Sequence, residues 1–377
     1  MGRFDHFNPA PGPFNNPYLG YPGGNPFPKP FPPTPGNAFF PTSGSYFVVP
    51  TNLKQSYTQT WNLSVQKQLF KNWALTVAYL GNHVLHTSAG NEQNPATYIP
   101  GKSTVANTNS RRKLTLIDQT QGAYFTQVTE AYTGLGTSYN ALLISVDHRF
   151  ATYFTLLTNY TYSHCLSGPP ENGDNAGDQF QDPSNPNADY SNCGSDLRHN
   201  FVTSIIARSA FGGGPMKRAL LSDWQIAPII SATTGVPFTT TTGTDASLTG
   251  VGNDRPNLVG SPYKQGGGTT WLNRASFAAN TPGTYGHIRP FSFYGPHYTD
   301  IDGAVTKFIP LHEQMQLEAR AECFNCLNHT NFANPGGVLS STGAVSNPGT
   351  SLSNSAFGTI TAANPPRILQ LSLKIDF

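Results

Sequence analysis

Charge is scarce in this chain. Asp, Glu, Lys and Arg make up 11% of its 377 residues, well below the roughly 25% of ordinary soluble proteins. The formal net charge is only +2, so no global field draws the chain toward nucleic acid. Its one basic cluster, Arg111-Arg112-Lys113, is short and has no interleaved aromatics on which bases could stack. No run of about 18 apolar residues occurs, which excludes transmembrane helices. Extended Ala/Glu/Lys/Leu stretches with a 3.6-residue period are also absent, so few helices are expected. The opening segment, Met1-Gly2-Arg3-Phe4-Asp5-His6-Phe7-Asn8, lacks the apolar centre of a secretory signal. Gly-x-Ser-x-Gly, His-Glu-x-x-His and P-loop patterns are missing, so hydrolase, zincin and nucleotide-dependent activities have no support and the chain reads as a non-enzyme.

What the chain does have is turn-formers and β-formers. There are 37 Gly, 32 Pro and 12% aromatic residues, arranged as short Thr-, Tyr-, Val- and Phe-bearing segments punctuated by Gly, Pro, Asn and Asp. This pattern predicts an all-β protein with large loops. The terminal segment shows it most clearly: Leu369, Leu371, Leu373, Ile375 and Phe377 alternate with Gln370, Ser372, Lys374 and Asp376. Successive strand side chains point to opposite faces, so one face is greasy and the other wettable. Its length suits the 9–11 residues of a tilted membrane-crossing strand, and with an aromatic last residue it reads as the closing strand of an antiparallel transmembrane β-barrel.

Residues 8–44 are rich in Pro, Gly and Phe and cannot form a central strand, because proline donates no ladder hydrogen bond. Residues 1–44 are therefore expected to be a loop or linker, and 45–377 a partial barrel. Residues 60–69 turn through Phe70-Lys71-Asn72 into 73–79, and 142–150 turn through 151–153 into 154–162, giving two hairpins. Further strands are expected at 197–208, 222–233, 299–309 and 313–324. In the last of these, Met315, Leu317, Ala319, Ala321 and Cys323 alternate with Gln314, Gln316, Glu318, Arg320 and Glu322. Such a polar face could meet solvent on a soluble sheet or line a wet lumen. Short connections (70–72, 151–153, 310–312) alternate with long ones (84–139, 165–196, 209–221, 234–298, 327–365), as in barrels with short periplasmic turns and long extracellular loops, although 209–221 is of intermediate length. Trp61, Trp73, Trp224, Tyr79, Tyr160 and Tyr162 fall near strand ends, where interfacial girdles or ordinary β-propensity would both place them. About nine to ten strands result. Unpaired edges are costly in lipid, so the missing strands are expected upstream, in a longer product of which this chain is the C-terminal part.

Several segments together resemble the C-terminal half of Oar-like TonB-dependent receptor barrels. They are Tyr57-Thr58-Gln59-Thr60-Trp61-Asn62-Leu63-Ser64-Val65-Gln66, Tyr139-Asn140-Ala141-Leu142, Asn159-Tyr160-Thr161-Tyr162-Ser163 and Leu197-Arg198-His199-Asn200-Phe201. To these are added Arg255-Pro256-Asn257-Leu258-Val259-Gly260, residues 318–325, Asn328-His329-Thr330-Asn331-Phe332 and the final Phe377. The resemblance implies a wall segment of a 22-stranded outer-membrane barrel for uptake of an unidentified substrate. It also implies outer-membrane lipid and the barrel-assembly machinery as partners, with the TonB complex engaged only through a plug that these residues lack. No plug, TonB box or upstream half-barrel is recognisable, so transport by these residues alone is not expected. The alternative is a secreted or surface β-protein that binds glycans or partners without transport.

Cys165 and Cys193 flank one long loop, and in an oxidising compartment a bridge across its base would remove about 3 kcal/mol of loop-closure entropy. Cys323 and Cys326, with His329 nearby, form a CxxC pattern. Residues three apart on an extended strand face opposite sides, which opposes chelation unless the strand ends between them, and an unpaired or strained thiol pair is the expectation. The loop from Glu171 to Asp182 carries carboxylates and amides without EF-hand spacing and reads as a solvated turn-rich segment. His83, His86, His148 and His164 lack convergent partners and are expected as loop or rim polarity. No cofactor or metal is called for.

Overall fold

The computed structural model describes residues 44–149, 153–168, 179–211, 214–252, 254–266, 268–312, 315–336, 338–339, 345–346 and 350–376. The expected linker, residues 1–44, lies outside them save for its last residue, as does Phe377.

Alternation of side chains drives the architecture. The strands of three or more residues are β1 (Gly44–Val48), β2 (Tyr57–Phe70), β3 (Trp73–Glu92), β4 (Phe125–Arg149), β5 (Phe154–Ser167), β6 (His199–Arg208), β7 (Trp224–Ile226), β8 (Ile229–Thr233), β9 (Tyr298–His312), β10 (Met315–Phe324) and β11 (Ile368–Asp376). Their hydrogen-bonded order follows the chain, β2-β3-β4-β5-β6-(β7, β8)-β9-β10-β11, with β1 added parallel to β4. β7 and β8 both lie between β6 and β9 and act as one interrupted strand, so the wall has nine staves. Every step along it is antiparallel. The fold is therefore all-β, and no described helix is long and apolar enough to cross a membrane.

Register carries one apolar face through the whole sheet. Val65 pairs with Val77, Val77 with Ile144, Ile144 with Tyr160 and Tyr160 with Phe201. Farther along, Ala207 pairs with Ile226, Ile226 with Val305, Val305 with Ala321 and Ala321 with Leu371. This outward face is bare: Leu63 is 68% exposed and Leu371 82%. At Trp61 the opposite residue is Gly81, and any Cβ there would collide with the indole, so glycine lets the ring lie flat across β3. From Trp61 to Phe70 is nine residue steps. At about 3.4 Å per residue and a tilt of about 40°, they give a band roughly 23 Å tall, close to the apolar band of outer-membrane barrels.

The inward face is mostly polar. Arg320 pairs in register with Ser372, Glu322 with Gln370 and Glu318 with Lys374; Arg320 meets Glu322 at 2.5 Å and Lys374 meets Asp376 at 2.6 Å. Leu143, Leu157 and Ile206 interrupt it with apolar side chains. Short turns gather at one end of the wall, where Asn72 adopts a φ of 67° to close the β2–β3 hairpin. Long connections gather at the other.

Two staves run beyond their expected length. β3 continues to Glu92 and β4 begins at Phe125, so the connection expected at 84–139 shrinks to 93–124. Residues 84–92 and 129–137 lack clean apolar alternation, and at their far ends both faces meet protein: Ala89, Asn91, Glu92, Thr129 and Ala131 are buried.

Candidate functional site

The long connections fold on one another into a layer over one end of the wall. Its apolar centre is Phe238, Leu272, Phe277, Ile288, Phe293 and Phe357, whose rings meet edge to face, as Phe277 does with Phe293 at 5.3 Å and Phe357 at 5.0 Å. Gly, Pro and Asn give these segments their turns; the aromatics between the turns supply the burial that holds them.

Buried charge ties separate connections together. Arg111 donates to the carbonyl oxygens of Thr97 (2.6 Å), Thr104 (3.0 Å) and Leu248 (3.1 Å). Arg112 donates to the Asn94 carbonyl at 2.9 Å and lies 4.0 Å from Glu92. The Glu92 carboxylate in turn accepts the backbone N–H groups of Asn94 (2.8 Å) and Val128 (3.0 Å). Burial pulls the Arg112 guanidinium down from its ordinary value, opposed by Glu92 and Asp245. The basic cluster that stands out in the sequence is thus a fastener inside the layer at Arg111 and Arg112.

A second fastener centres on Arg255, in the Arg255-Pro256-Asn257 motif. Its guanidinium pairs with the buried Asp189 and donates to the Ile288 carbonyl at 2.6 Å. Gln181 accepts from the Arg255 backbone at 2.7 Å and donates to the Gly286 carbonyl at 3.0 Å. These groups frame an open cavity of about 410 Å³ lined by Gln181, Asp182, Asn185, Asn187, Tyr285 and Arg289. Burial, reinforced by Asp182, pushes the Tyr285 phenol up to about 12. Burial likewise raises the Asp254 carboxyl, although Ser247 donates to it at 2.6 Å. The cavity is polar and aromatic at once, suited to hydroxyl- or amide-bearing ligands.

Cys165 and Cys193 are joined by a disulfide with Cα atoms 5.4 Å apart, at the foot of this layer. Beside it Asp196 accepts the Cys165 N–H at 2.7 Å and pairs with Arg198 at 3.2 Å. Cys323 and Cys326, whose pairing the sequence leaves open, are also joined. β10 ends at Phe324, and Asn325 takes a φ of 49°, so the chain turns between the two cysteines and swings their sulfurs together. Of the histidines, His148 departs from rim polarity: it is buried, stacked between Trp73 (4.3 Å) and Phe154 (5.2 Å). His164 lies 3.5 Å from Asp196. His86 bonds the Thr133 carbonyl at 2.9 Å. Residues 171–178 of the carboxylate-rich loop lie outside the described residues, and among the described ones no group of three or more His, Cys, Asp or Glu could hold a metal. On β11, Leu369, Leu371, Leu373 and Ile375 point outward, away from any protein interior.

Several solved structures are similar to this chain. The outer membrane transporter YddB from Escherichia coli is similar with a TM-score of 0.48 and 8% identity, covering 88% of this chain and 34% of that one. The ferric-catecholate import receptor Fiu from E. coli K12 has a TM-score of 0.39 and 9% identity, with coverages of 87% and 29%. BauA, the ferric preacinetobactin receptor from Acinetobacter baumannii, has a TM-score of 0.41 and 10% identity, with coverages of 85% and 29%. The chain thus spans about a third or less of the length of these structures. Comparison with curated proteins finds no match. The family model described as "Outer membrane beta barrel domain" matches residues 5–370. With that match across nearly the whole chain, and a sheet whose register carries one apolar face from stave to stave, this chain belongs to the outer-membrane β-barrel domain family.

Proposed function

We propose that the chain forms part of the wall of an uptake barrel of the TonB-dependent receptor type, Oar-like in its motifs, with the folded layer of long connections meeting the substrate on the outer side. The observation that carries this reading is the pairing of a continuous lipid-type face with an inward face bearing Arg320, Glu322, Glu318 and Lys374. A soluble glycan-binding protein would leave Leu63, Leu369, Leu371 and Leu373 in water with no compensating contact.

The sheet is open: among the described residues β2 and β11 each have one unpaired edge. In hydrocarbon such an edge leaves a row of N–H and C=O groups unsatisfied, which no spanning structure tolerates. Eight antiparallel steps separate β2 from β11, so the two edge strands run the same way. Closing the cylinder with antiparallel pairing throughout therefore needs an odd number of further strands, wherever they are encoded. The cavity bounded by Asn185, Asn187 and Tyr285 supplies hydrogen-bonding groups for substrate.

Refolding in detergent, followed by gel mobility with and without heating and by ultracentrifugation after detergent removal, tests the reading. Heat-modifiable mobility and sedimentation with lipid support it. A monomer that stays in solution without detergent, with no heat-dependent mobility, overturns it in favour of a soluble binding protein.

A further inference from the structure

The connection from β6 to β7 is unlike the other short-turn connections. It contains a helix, Pro215–Leu221, and it leaves large apolar side chains bare: Phe211, Met216, Leu220 and Leu221 are all exposed, Met216 by 77%. Met216 and Leu220 are four residues apart and share one side of the helix. A helix of this length is too short to persist on propensity alone, so something must hold it in place.

Ser209 donates its hydroxyl to the Leu221 carbonyl at 2.7 Å, and two further contacts come from the outward face. Trp224, which shares that face with Ile226, donates its indole N–H to the Leu220 carbonyl at 2.7 Å. Lys307, in register with Trp224, donates to the Ser222 carbonyl at 2.5 Å, with its ammonium 5.5 Å from the indole centre. The carboxyl end of the helix is therefore fixed beside the outer side of the wall and not beneath the lumen. Its apolar side chains prolong the band of Ile226, Val305 and Ile309, which are themselves exposed. Lys217 is exposed among them.

We propose that Phe211 and residues 214–223 form an interfacial anchor, lying in the near leaflet of a phospholipid membrane. Phe211, Met216, Leu220 and Leu221 enter the acyl region and Lys217 meets the phosphate of an anionic headgroup. A short amphipathic helix binds an interface through buried apolar area plus attraction between Lys or Arg and anionic lipid. Trp and Lys at the same level are the residues that favour that depth. The anchor rests on the outward face being lipid-facing, and it would fix the vertical position of the wall at the short-turn end.

All four cysteines are paired, so Met216→Cys or Leu220→Cys adds a single reactive thiol to the full chain. Each is labelled with an environment-sensitive fluorophore and refolded into vesicles carrying brominated acyl chains. Leu371→Cys serves as a lipid-facing reference and Lys71→Cys, in the β2–β3 turn, as an aqueous one. We expect the helix labels to be quenched several-fold, like the Leu371 label. Quenching should be stronger when phosphatidylglycerol is added to phosphatidylcholine, and Lys217→Glu should remove that increment. Helix labels that match the Lys71 label while Leu371 is quenched overturn the anchor and leave the barrel standing. If neither Leu371 nor the helix is quenched, both fail. Quenching indifferent to phosphatidylglycerol and to Lys217→Glu overturns the headgroup assignment.

Discussion

Replacing Leu371 by arginine tests the reading of the wall at its most exposed point. Leu371 lies on the outward face of the last stave, 82% exposed, opposite Ala321, which in turn faces Val305. If that face is in hydrocarbon, an arginine there costs about 2–4 kcal/mol near the midplane and about 0–1 near an interface. Position along the strand sets the depth dependence. Leu371 and Leu373 flank the middle of Ile368–Asp376, whereas Leu369 is its second residue, opposite Cys323 close to where β10 ends. The expected penalties are therefore above about 2 kcal/mol for Leu371→Arg and Leu373→Arg and below about 1 kcal/mol for Leu369→Arg. Gln370→Arg provides the contrast: it points inward, opposite Glu322, and should change stability by less than about 0.5 kcal/mol. The assay is reversible urea unfolding in vesicles, followed by tryptophan emission. Equal penalties for Leu371→Arg and Gln370→Arg would refute the two-faced wall, and a penalty largest at Leu369 would refute the assigned depth.

Three further outcomes follow from the loop layer. Arg255→Met leaves Asp189 buried and unpaired, which costs about 3–5 kcal/mol; limited proteolysis should show faster cleavage at residues 179–196 while the wall stays protected. Cys193→Ser opens a bridge spanning 28 residues and should destabilise the layer by about 3–4 kcal/mol on the chain-entropy account, read as a fall in urea midpoint against a Cys323→Ser, Cys326→Ser parent, in which reductant should reproduce the same loss. Tyr285, raised to about 12 when folded, binds its proton more tightly folded than unfolded. Its contribution is thus fully present below its ordinary value near 10 and is lost as pH rises through about 12. Alkaline unfolding followed by phenolate absorbance should be less steep in Tyr285→Phe, and an unchanged curve would contradict this.

The wall was legible in the sequence because lipid on one side and polar groups on the other impose a period of two. The all-β antiparallel fold follows from that signal alone, as the hairpins Tyr57–Glu92 and Phe125–Ser167 show. Where both faces meet protein the period disappears, so the upper reaches of β3 and β4 read as loop. The layer itself was largely illegible. The role of Arg111 and Arg112 had no signal, because nothing in their neighbourhood announces that carbonyls from residues 94, 97, 104 and 248 converge on them. Phe238, Leu272, Phe277, Phe293 and Phe357 are spread over more than a hundred residues without periodicity, and only folding brings them together. The Cys323–Cys326 bridge depends on the strand ending at Phe324, a boundary that alternation marks poorly.

The most direct test of the two-faced wall is a nitroxide scan of Ile368–Asp376, one cysteine at a time in the refolded chain with its disulfides intact, in phospholipid vesicles. Collision with oxygen, which concentrates in hydrocarbon, should peak at 369, 371, 373 and 375. Collision with a water-soluble nickel complex should peak at 370, 372, 374 and 376. Uniform nickel access along the strand, or oxygen maxima at the even positions, would contradict the account.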